Sequence, residues 1–149
     1  MKEYIQGAAL EISLQHGGGA RFTARARHHR TILDQPAEDG ATDQGMTPAE
    51  LLLASLGGCV GQYVAQYLNV RGLSSDGLRV RVTAQPAAQV LRLRDFAIEV
   101  TAPGLSEREL RALEKSFPAG LVQNAICFEN TVRITTLPAA AKGKSSTKK

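Results

Sequence analysis

The sequence predicts an α+β domain with the element order β-β-α-β-β-α-β. The first observation behind this is a helix start at Thr47 that leads into an apolar stretch ending in a cysteine, T-P-A-E-L-L-L-A-S-L-G-G-C. The second is the alternation of apolar and polar residues before and after that stretch, which is typical of half-buried strands. The third is a second capped, amphipathic segment near the carboxyl end. Hairpins and helices are thus partly segregated along the chain.

Length and charge predict one domain followed by a tail. At 149 residues, 43% of them hydrophobic, the chain can bury a single core, which we place in residues 1–137. Residues 138–149 contain four lysines and no acid, and this composition predicts a basic, disordered tail. The remaining chain has 14 basic and 14 acidic residues. This charge balance, together with the absence of Trp, favours no nucleic-acid partner.

The amino-terminal residues and the apolar runs indicate where in the cell the protein is located. Glu3, Gln6 and Glu11 interrupt any apolar leader segment, so we expect a cytoplasmic protein. The longest apolar run, Leu51 to Gly61, is shorter than the about 20 residues that a membrane span needs. We therefore expect no membrane association.

The first predicted hairpin surrounds the turn H-G-G-G. Apolar and polar residues alternate before and after this turn, so two strands with one buried face are expected. His28 to Leu33 either continues the second strand or forms a third one. Asp34 to Met46, rich in Gly, Pro and Asp, is a loop that leads to the first helix. The apolar positions of the hairpin are Leu10, Ile12, Leu14, Ala20, Phe22, Ala24 and Ala26.

The first helix has a strong start signal. Thr47 can cap it, Pro48 suits its first position, and the carboxylate of Glu50 can reach back to the cap. The helix should run to about Leu68, roughly 33 Å at 1.5 Å per residue. Because its body has no polar face, we expect it to be buried, with Cys59 in the core.

A second hairpin and a second helix complete the pattern. Alternating residues on both sides of a turn at 85–89 predict two antiparallel strands whose arginines form a solvated face. Ser106 and Glu109 form another capping box, and Pro118 and Gly120 should kink or end that helix. A further helical turn at 121–127 and a closing strand at 131–137 follow. The strand residues are Leu78, Val80, Val82, Phe96, Ile98 and Val100; the arginines are Arg79, Arg81, Arg92 and Arg94; the helix face is Leu110, Leu113 and Phe117.

The two cysteines are the candidates for chemistry. They lie 68 positions apart without C-x-x-C spacing, so the sequence predicts neither a zinc knuckle nor a thioredoxin motif. A reactive Cys59 in mid-helix needs a neighbouring cation, and the run Arg27, His28, His29, Arg30 offers four candidates. Cys127 could condense with an oxidised Cys59 to form a disulfide. The alternative for both cysteines is a small buried apolar side chain.

The sequence gives less support for a functional role of Glu50 or of the histidines. Nine residues separate Glu50 from Cys59, a helical rotation of about 180°, so any role of Glu50 must run through Arg27, Arg30 or another chain. Adjacent His28 and His29 should point to opposite sides of a strand, so we expect no metal site.

Several stretches resemble the OsmC/Ohr superfamily of osmotically inducible and organic hydroperoxide resistance proteins. These are R-H-H-R-T-I-L-D-Q-P, T-D-Q-G-M-T-P-A-E-L-L-L-A-S-L-G-G-C and A-I-C-F-E-N-T-V, and the resemblance extends from about Arg21 to Thr136. It implies an OsmC-like α+β fold and an intertwined homodimer. Two central helices would be embraced by sheets that mix strands of both subunits.

The resemblance also implies a function. Cys59 would be the peroxidatic nucleophile and Cys127 the resolving thiol, with Arg27 or Arg30 and Glu50 organising the thiolate. The expected activity is a thiol-dependent reduction of organic hydroperoxides in oxidative-stress defence. No cofactor is implied, and a dithiol or lipoyl-type compound would serve as the external reductant.

The alternative is a non-catalytic OsmC-like protein that binds a small apolar or thiol ligand in the groove between subunits. Two departures favour it. Ala49 lies ten positions before the cysteine, where the peroxidases of the family have an acid. C-F-E-N replaces the more usual C-P-V around the second cysteine.

Overall fold

A computed structural model describes residues 9–87, 92–102, 105–117 and 121–127. Within these ranges the chain forms a three-stranded and a two-stranded antiparallel sheet, with one long and two shorter helices. The predicted closing strand at 131–137 and the basic tail lie outside the described residues. The elements are β1 (Ser13–His16), β2 (Phe22–Ala26), β3 (His29–Leu33), a 3-10 turn (Ala37–Asp39), α1 (Pro48–Val70), β4 (Arg79–Pro86), β5 (Leu93–Thr101), α2 (Glu107–Ser116) and α3 (Leu121–Cys127).

The amino-terminal sheet has the order β1-β2-β3. Leu14 lies opposite Ala24, and Phe22 lies opposite Leu33, which confirms the predicted first hairpin. Residues 29–33 form a separate third strand, so the alternative left open by the sequence is decided. Among the described residues the predicted order β-β-α-β-β-α-β therefore lacks one strand before α1, and the further helical turn expected at 121–127 is present as the helix α3.

Helix α1 begins as the sequence predicts. The Thr47 hydroxyl accepts from the backbone N–H of Glu50 at 3.2 Å, and the Glu50 carboxylate accepts from the backbone N–H of Thr47 at 2.7 Å. Pro48 is the first helical residue, and the helix continues to Val70, two residues past the predicted end. The capping box thus satisfies two backbone donors at this terminus with residues three positions apart, which explains why the sequence locates the start of the helix so closely.

One face of α1 packs on β4. A methyl group added at Gly57 would lie 2.8 Å from Val82 Cγ2, and one at Gly61 would lie 3.4 Å from a Val80 methyl. The glycines therefore allow the helix backbone to approach the sheet closely. Further along the helix, Val64 and Leu68 are almost completely buried together with Leu113 of α2.

The expectation that α1 is buried all round is wrong for the single chain. Its buried residues are Leu56, Gly57, Val64 and Leu68, while Leu52 is 38% exposed and Cys59 is half-buried rather than in the core. The physical reason is geometric: within the described residues α1 packs on β4 and α3, and its Val64 and Leu68 pack on Leu113 of α2. The rest of its apolar surface faces outwards.

The amino-terminal sheet is also less buried than its pattern predicts. Ala24 and Leu33 are buried on its apolar face, but Leu14 is 53% exposed on the same face. Leu10 and Ile12, which precede β1, are exposed to a similar degree. Within the described part of the chain, apolar surface is thus open on α1 and on this sheet.

The whole of α1 meets the length and composition of a membrane-crossing helix. Its 23 residues contain one charged side chain, Glu50, and 17% of the most apolar stretch is buried. The sequence estimate counted only Leu51 to Gly61 and was too short. Core helices of soluble proteins share this composition, so the helix alone is weak evidence for a bilayer.

The second sheet and α2 form as predicted, but the turn expected at 85–89 is placed too early, because Gln85 and Pro86 still pair with Arg94 and Leu93 in the sheet. β4 and β5 pair with Val80 opposite Val100 and Val82 opposite Ile98, with an irregularity between Thr83 and Gln85. The arginines of this sheet are exposed, as expected for a solvated face. In α2 the Ser106–Glu109 capping box is present. The exposed arginines are Arg79, Arg81, Arg92 and Arg94.

Candidate active site

Cys59 lies on the side of α1 that faces away from β4. It follows Gly57, which contacts β4, by two residues, a rotation of about 200°. Leu52 and Tyr63, at distances of seven and four residues along the helix, lie on the same side as Cys59. The Tyr63 ring packs on Phe117, with 5.2 Å between ring centroids. The Cys59 thiol itself is half-buried.

Cys127 is the last residue of α3, and α3 packs on α1. The side chain of Cys127 lies outside the described part of the chain. The two helices that carry the cysteines are thus neighbours in the fold, although 68 positions separate the cysteines in sequence. Proximity of the two backbones is a requirement for a disulfide between these positions.

Arg27 and Arg30 lie at the tip of the β2–β3 hairpin, and both are exposed. Arg27 is the first residue of the two-residue turn and has a positive φ of 55°. Arg30 is on β3, directly opposite Arg25. A positive φ is uncommon for a residue with a Cβ, so the backbone holds Arg27 in a restricted conformation. Neither guanidinium is on α1, and the loop of residues 34–46 connects their sheet to that helix.

Glu50 is engaged at the start of α1. One carboxylate oxygen accepts from the Thr47 backbone N–H at 2.7 Å and from the Thr47 hydroxyl at 3.0 Å. These hydrogen bonds, the backbone one first, hold the pKa of Glu50 below its usual range. Within this chain the carboxylate serves as a cap.

The expectation that His28 and His29 point to opposite sides of a strand is wrong. His28 is in the hairpin turn rather than on a strand, so its ring approaches that of His29 to 3.9 Å instead of pointing to the opposite side. Among the described residues, no group of three or more His, Cys, Asp or Glu side chains could hold a metal ion.

Sequence reasoning missed Asp34. Its side chain is 2% exposed and accepts three hydrogen bonds: from the Thr42 hydroxyl at 2.5 Å, from the Gln35 backbone N–H at 2.9 Å and from the Gln44 backbone N–H at 3.2 Å. The Thr42 bond is the main cause of a lowered pKa. The only sequence signal was an Asp at a strand end before Gln-Pro, and such residues usually cap turns.

A shallow cleft lies between α1 and β4. It has a volume of about 400 Å³ and is open to the surface. Because it opens on the β4 side of α1, it lies on a different face of the helix from Cys59. Its lining residues are Leu53, Ala54, Gly57, Gly58, Val80 and Val82.

These features define a class of protein: an α+β chain with antiparallel sheets whose long apolar helix carries a thiol. The model of the OsmC-like protein family matches residues 41–136, which is more than half of the chain. The protein therefore belongs to the OsmC-like family, and the resemblance found in the sequence is confirmed. No curated protein matches the chain.

Solved structures share the fold. One is an osmotic-stress-induced and detoxification response protein from Psychrobacter arcticus, 20% identical, with a TM-score of 0.69, covering 82% of this chain and 90% of that chain. A second is an organic hydroperoxide resistance protein OsmC from Legionella pneumophila, 20% identical, with a TM-score of 0.60, covering 80% and 90%. A third is an OsmC-like protein from Mycoplasma pneumoniae, 19% identical, with a TM-score of 0.62, covering 80% and 87%. At these identities the likeness shows the fold.

Proposed function

We propose that this protein is a dimeric, cytoplasmic thiol peroxidase that reduces organic hydroperoxides, with Cys59 as its nucleophile. The observation that carries the proposal is the position of Cys59 on α1. The thiol is half-buried, so a small molecule can reach it, and the helical spacing places Leu52 and Tyr63 on the same side of α1. Apolar side chains on this side favour an alkyl hydroperoxide over hydrogen peroxide. The family, and the hydroperoxide resistance protein that shares the fold, support the same reaction class.

The proposed reaction has three balanced steps. The Cys59 thiol gives up its proton, and the thiolate attacks the distal oxygen of the hydroperoxide, so that the O–O bond breaks and Cys59 becomes a sulfenic acid. The leaving alkoxide takes up the proton that the thiol released and departs as an alcohol. The Cys127 thiol then attacks the Cys59 sulfur, forming a disulfide and releasing water. An external dithiol reduces the disulfide and returns both thiols. The neighbouring positions of α1 and α3 support this pairing.

An arginine completes the proposed site. Arg27 or Arg30 would stabilise the Cys59 thiolate and bind an oxygen of the peroxide, since a guanidinium is a permanent cation with several donors. Glu50 faces away from Cys59 and would act on the chemistry only through one of these arginines or across a subunit boundary. Its own hydrogen bonds to Thr47 make the cap its direct role.

A homodimer accounts for the open apolar surfaces. A half-exposed helix with one charged residue and a sheet with an exposed apolar face are costly in water, at about 25 cal/mol for each Å² of apolar surface. A second copy that covers both would leave the charged faces of the chain in solvent. We assign the apolar surface of α1 to such a partner rather than to a bilayer.

The test is peroxide turnover by the purified full-length protein with dithiothreitol or a lipoyl compound as the reductant. We expect cumene hydroperoxide to be consumed faster than hydrogen peroxide, and we expect Cys59→Ser to abolish both activities. The matched control is Ser55→Ala, one helical turn before Cys59, which removes an exposed hydroxyl bound to the Leu52 carbonyl. Wild-type rates no higher than those of Cys59→Ser would contradict the proposal.

A second candidate is a non-catalytic binder of a small apolar ligand. The cleft between α1 and β4 favours it, because six apolar or small residues line it without a charged group. Ala49 favours it as well. Intact mass after one equivalent of peroxide separates the two functions: loss of two hydrogens with a Cys59–Cys127 linkage supports the peroxidase, and unchanged thiols support the binder.

A further inference from the structure

The loop of residues 34–46 is organised around one buried carboxylate. One oxygen of Asp34 accepts from the Thr42 hydroxyl at 2.5 Å and from the Gln44 backbone N–H at 3.2 Å. The other accepts from the Gln35 backbone N–H at 2.9 Å. An anion that is 2% exposed is tolerated only when such donors surround it. These bonds tie both halves of the loop to one point.

The same residue lies at the junction between the amino-terminal sheet and α1. The Asp34 backbone N–H donates to the Met46 carbonyl at 3.3 Å, and Leu33 forms a parallel bridge with Met46. The next residue, Thr47, is the cap of α1. The end of β3 and the beginning of α1 are therefore held side by side, with Asp34 between them.

The network continues into the sheet. The Gln44 side-chain oxygen accepts from Arg21 Nη1 at 2.6 Å, and Arg21 Nη2 donates to the Gly17 carbonyl at 2.6 Å. Gly17 belongs to the turn between β1 and β2. His16, Phe22 and Leu33 lie side by side at one end of the amino-terminal sheet, so the loop is connected to this end twice, directly through Leu33 and indirectly through Gln44. Arg27 and Arg30 lie at the opposite end of the same sheet.

We propose that Asp34 is a positioning residue: its buried carboxylate fixes the 34–46 loop and thereby sets the sheet that carries Arg27 and Arg30 relative to the helix that carries Cys59. The inference rests on the proposed function for its consequence in catalysis. Asp34 does not touch the reacting atoms, and it acts by limiting how far the arginines can move away from the thiol. A site of this kind must be held to within about 0.5 Å to work efficiently.

The variant Asp34→Asn tests the role of the carboxylate without changing the size of the side chain. An amide has one acceptor oxygen and one donor nitrogen, so in either orientation a donor of the side chain faces a donor of the loop. The matched control is Asp39→Asn, an exposed carboxylate in the 3-10 turn of the same loop. A second variant, Thr42→Val, removes a single hydrogen bond and keeps the charge.

The first readout is amide hydrogen exchange of the full-length protein. At least one of the backbone N–H groups of Gln35 and Gln44 should exchange about tenfold faster or more in Asp34→Asn, because the amide keeps only one of the two acceptor oxygens. Amides in the centre of α1 should keep their wild-type rates. Unchanged exchange at Gln35 and Gln44 overturns the inference. Equal acceleration in the loop and in α1 also overturns it, because it shows general destabilisation.

The second readout is reactivity. Asp34→Asn should lower kcat for cumene hydroperoxide by about tenfold with little change in KM, since a misplaced cation weakens the transition state rather than substrate binding. In a background that carries Arg27→Gln and Arg30→Gln, the same substitution should cost nothing further, because the groups that it positions are gone. A full additional loss in that background overturns the positioning role.

Failure of the proposed function is distinguishable from failure of this inference. If the wild-type protein turns over no peroxide, the rate of Cys59 alkylation by iodoacetamide replaces turnover as the readout. Slower alkylation of Asp34→Asn, absent in the arginine-free background, supports the inference even then. Equal alkylation rates in wild type and Asp34→Asn overturn it, and Asp39→Asn should match wild type throughout.

Discussion

Glu50 and Thr47 hold each other at the start of α1: the Glu50 carboxylate accepts from the Thr47 backbone N–H at 2.7 Å, while the Thr47 hydroxyl accepts from the Glu50 backbone N–H at 3.2 Å. Glu50 is nine residues before Cys59, about half a helical rotation away from it. Its carboxylate therefore has a structural role that is complete within this chain, and it points away from the thiol.

This relationship leads to a prediction for Glu50→Gln. The amide oxygen can still accept from Thr47, so the thermal stability should remain near that of wild type. Peroxide turnover should stay within about twofold of wild type, since most surface substitutions away from a site change little. The measurement is kcat/KM at neutral pH, with Glu109→Gln in the equivalent capping box of α2 as the control. A tenfold loss confined to Glu50→Gln would show instead that its charge organises an arginine.

The two candidate arginines are distinguished by their places in the hairpin. Arg27 is held in the turn at a positive φ, whereas Arg30 lies on β3 opposite Arg25. Replacing the arginine that stabilises the thiolate by Gln should lower kcat/KM by about 10²-fold, the usual loss for a preorganised charge-stabilising donor. Replacing the other should have a small effect. The control is Arg79→Gln, an exposed arginine of the second sheet; equal losses for all three would contradict the assignment.

The exposed apolar face of the amino-terminal sheet predicts the oligomeric state. Leu14 is 53% exposed on this face, and its neighbour Gln15 points to the opposite face of the same strand. Leu14→Glu should convert the dimer to a monomer, because a charge would enter the buried interface. Gln15→Glu should remain dimeric. Sedimentation velocity measures both, and a monomeric wild-type protein would refute the proposed interface.

Gly45 and Gly57 differ in the kind of atom that an added Cβ would meet. A Cβ at Gly45 would collide with the backbone carbonyl of Ile32, whereas one at Gly57 would meet a single side-chain methyl group of Val82. Gly45→Ala should lower the free energy of unfolding by about 1–3 kcal/mol, the usual cost of overpacking. Gly57→Ala should cost less, since an alanine also favours the helix. Urea denaturation measures the difference, and the reverse order would contradict the close approach at Gly45.

The capping boxes predict how stability depends on pH. Hydrogen bonds from Thr47 lower the pKa of Glu50, and those from Ser106 lower the pKa of Glu109, both from an ordinary value of 4.5. A carboxyl whose folded pKa is lowered adds stability above its unfolded pKa and loses it as the pH falls through the folded value. The free energy of unfolding should therefore decline below about pH 4.5. A variant with Thr47→Ala and Ser106→Ala should show a shallower decline in the same titration.

The parts of the fold that the sequence predicted well are those set by neighbours in the chain. The start of α1 and the Ser106 cap depend on residues three positions apart, and the hairpins depend on alternation over a few residues. The sequence did not decide whether residues 28–33 form a separate third strand, because the two-residue turn at Arg27 and His28 contains no glycine, the usual signal of such a turn. For the site, the sequence identified Cys59 and the arginines, but it gave no reason to single out Asp34.

The sequence by itself determined where helices and strands begin, which cysteine lies within a long apolar helix, and to which family the chain is similar. The tertiary structure decided which face of α1 is covered, that Cys59 is half-buried on the opposite face, and that Asp34 joins the sheet to the helix. The physical reason is the distance along the chain over which each interaction acts. Caps and alternation are interactions between near neighbours, whereas burial depends on segments that meet only after folding.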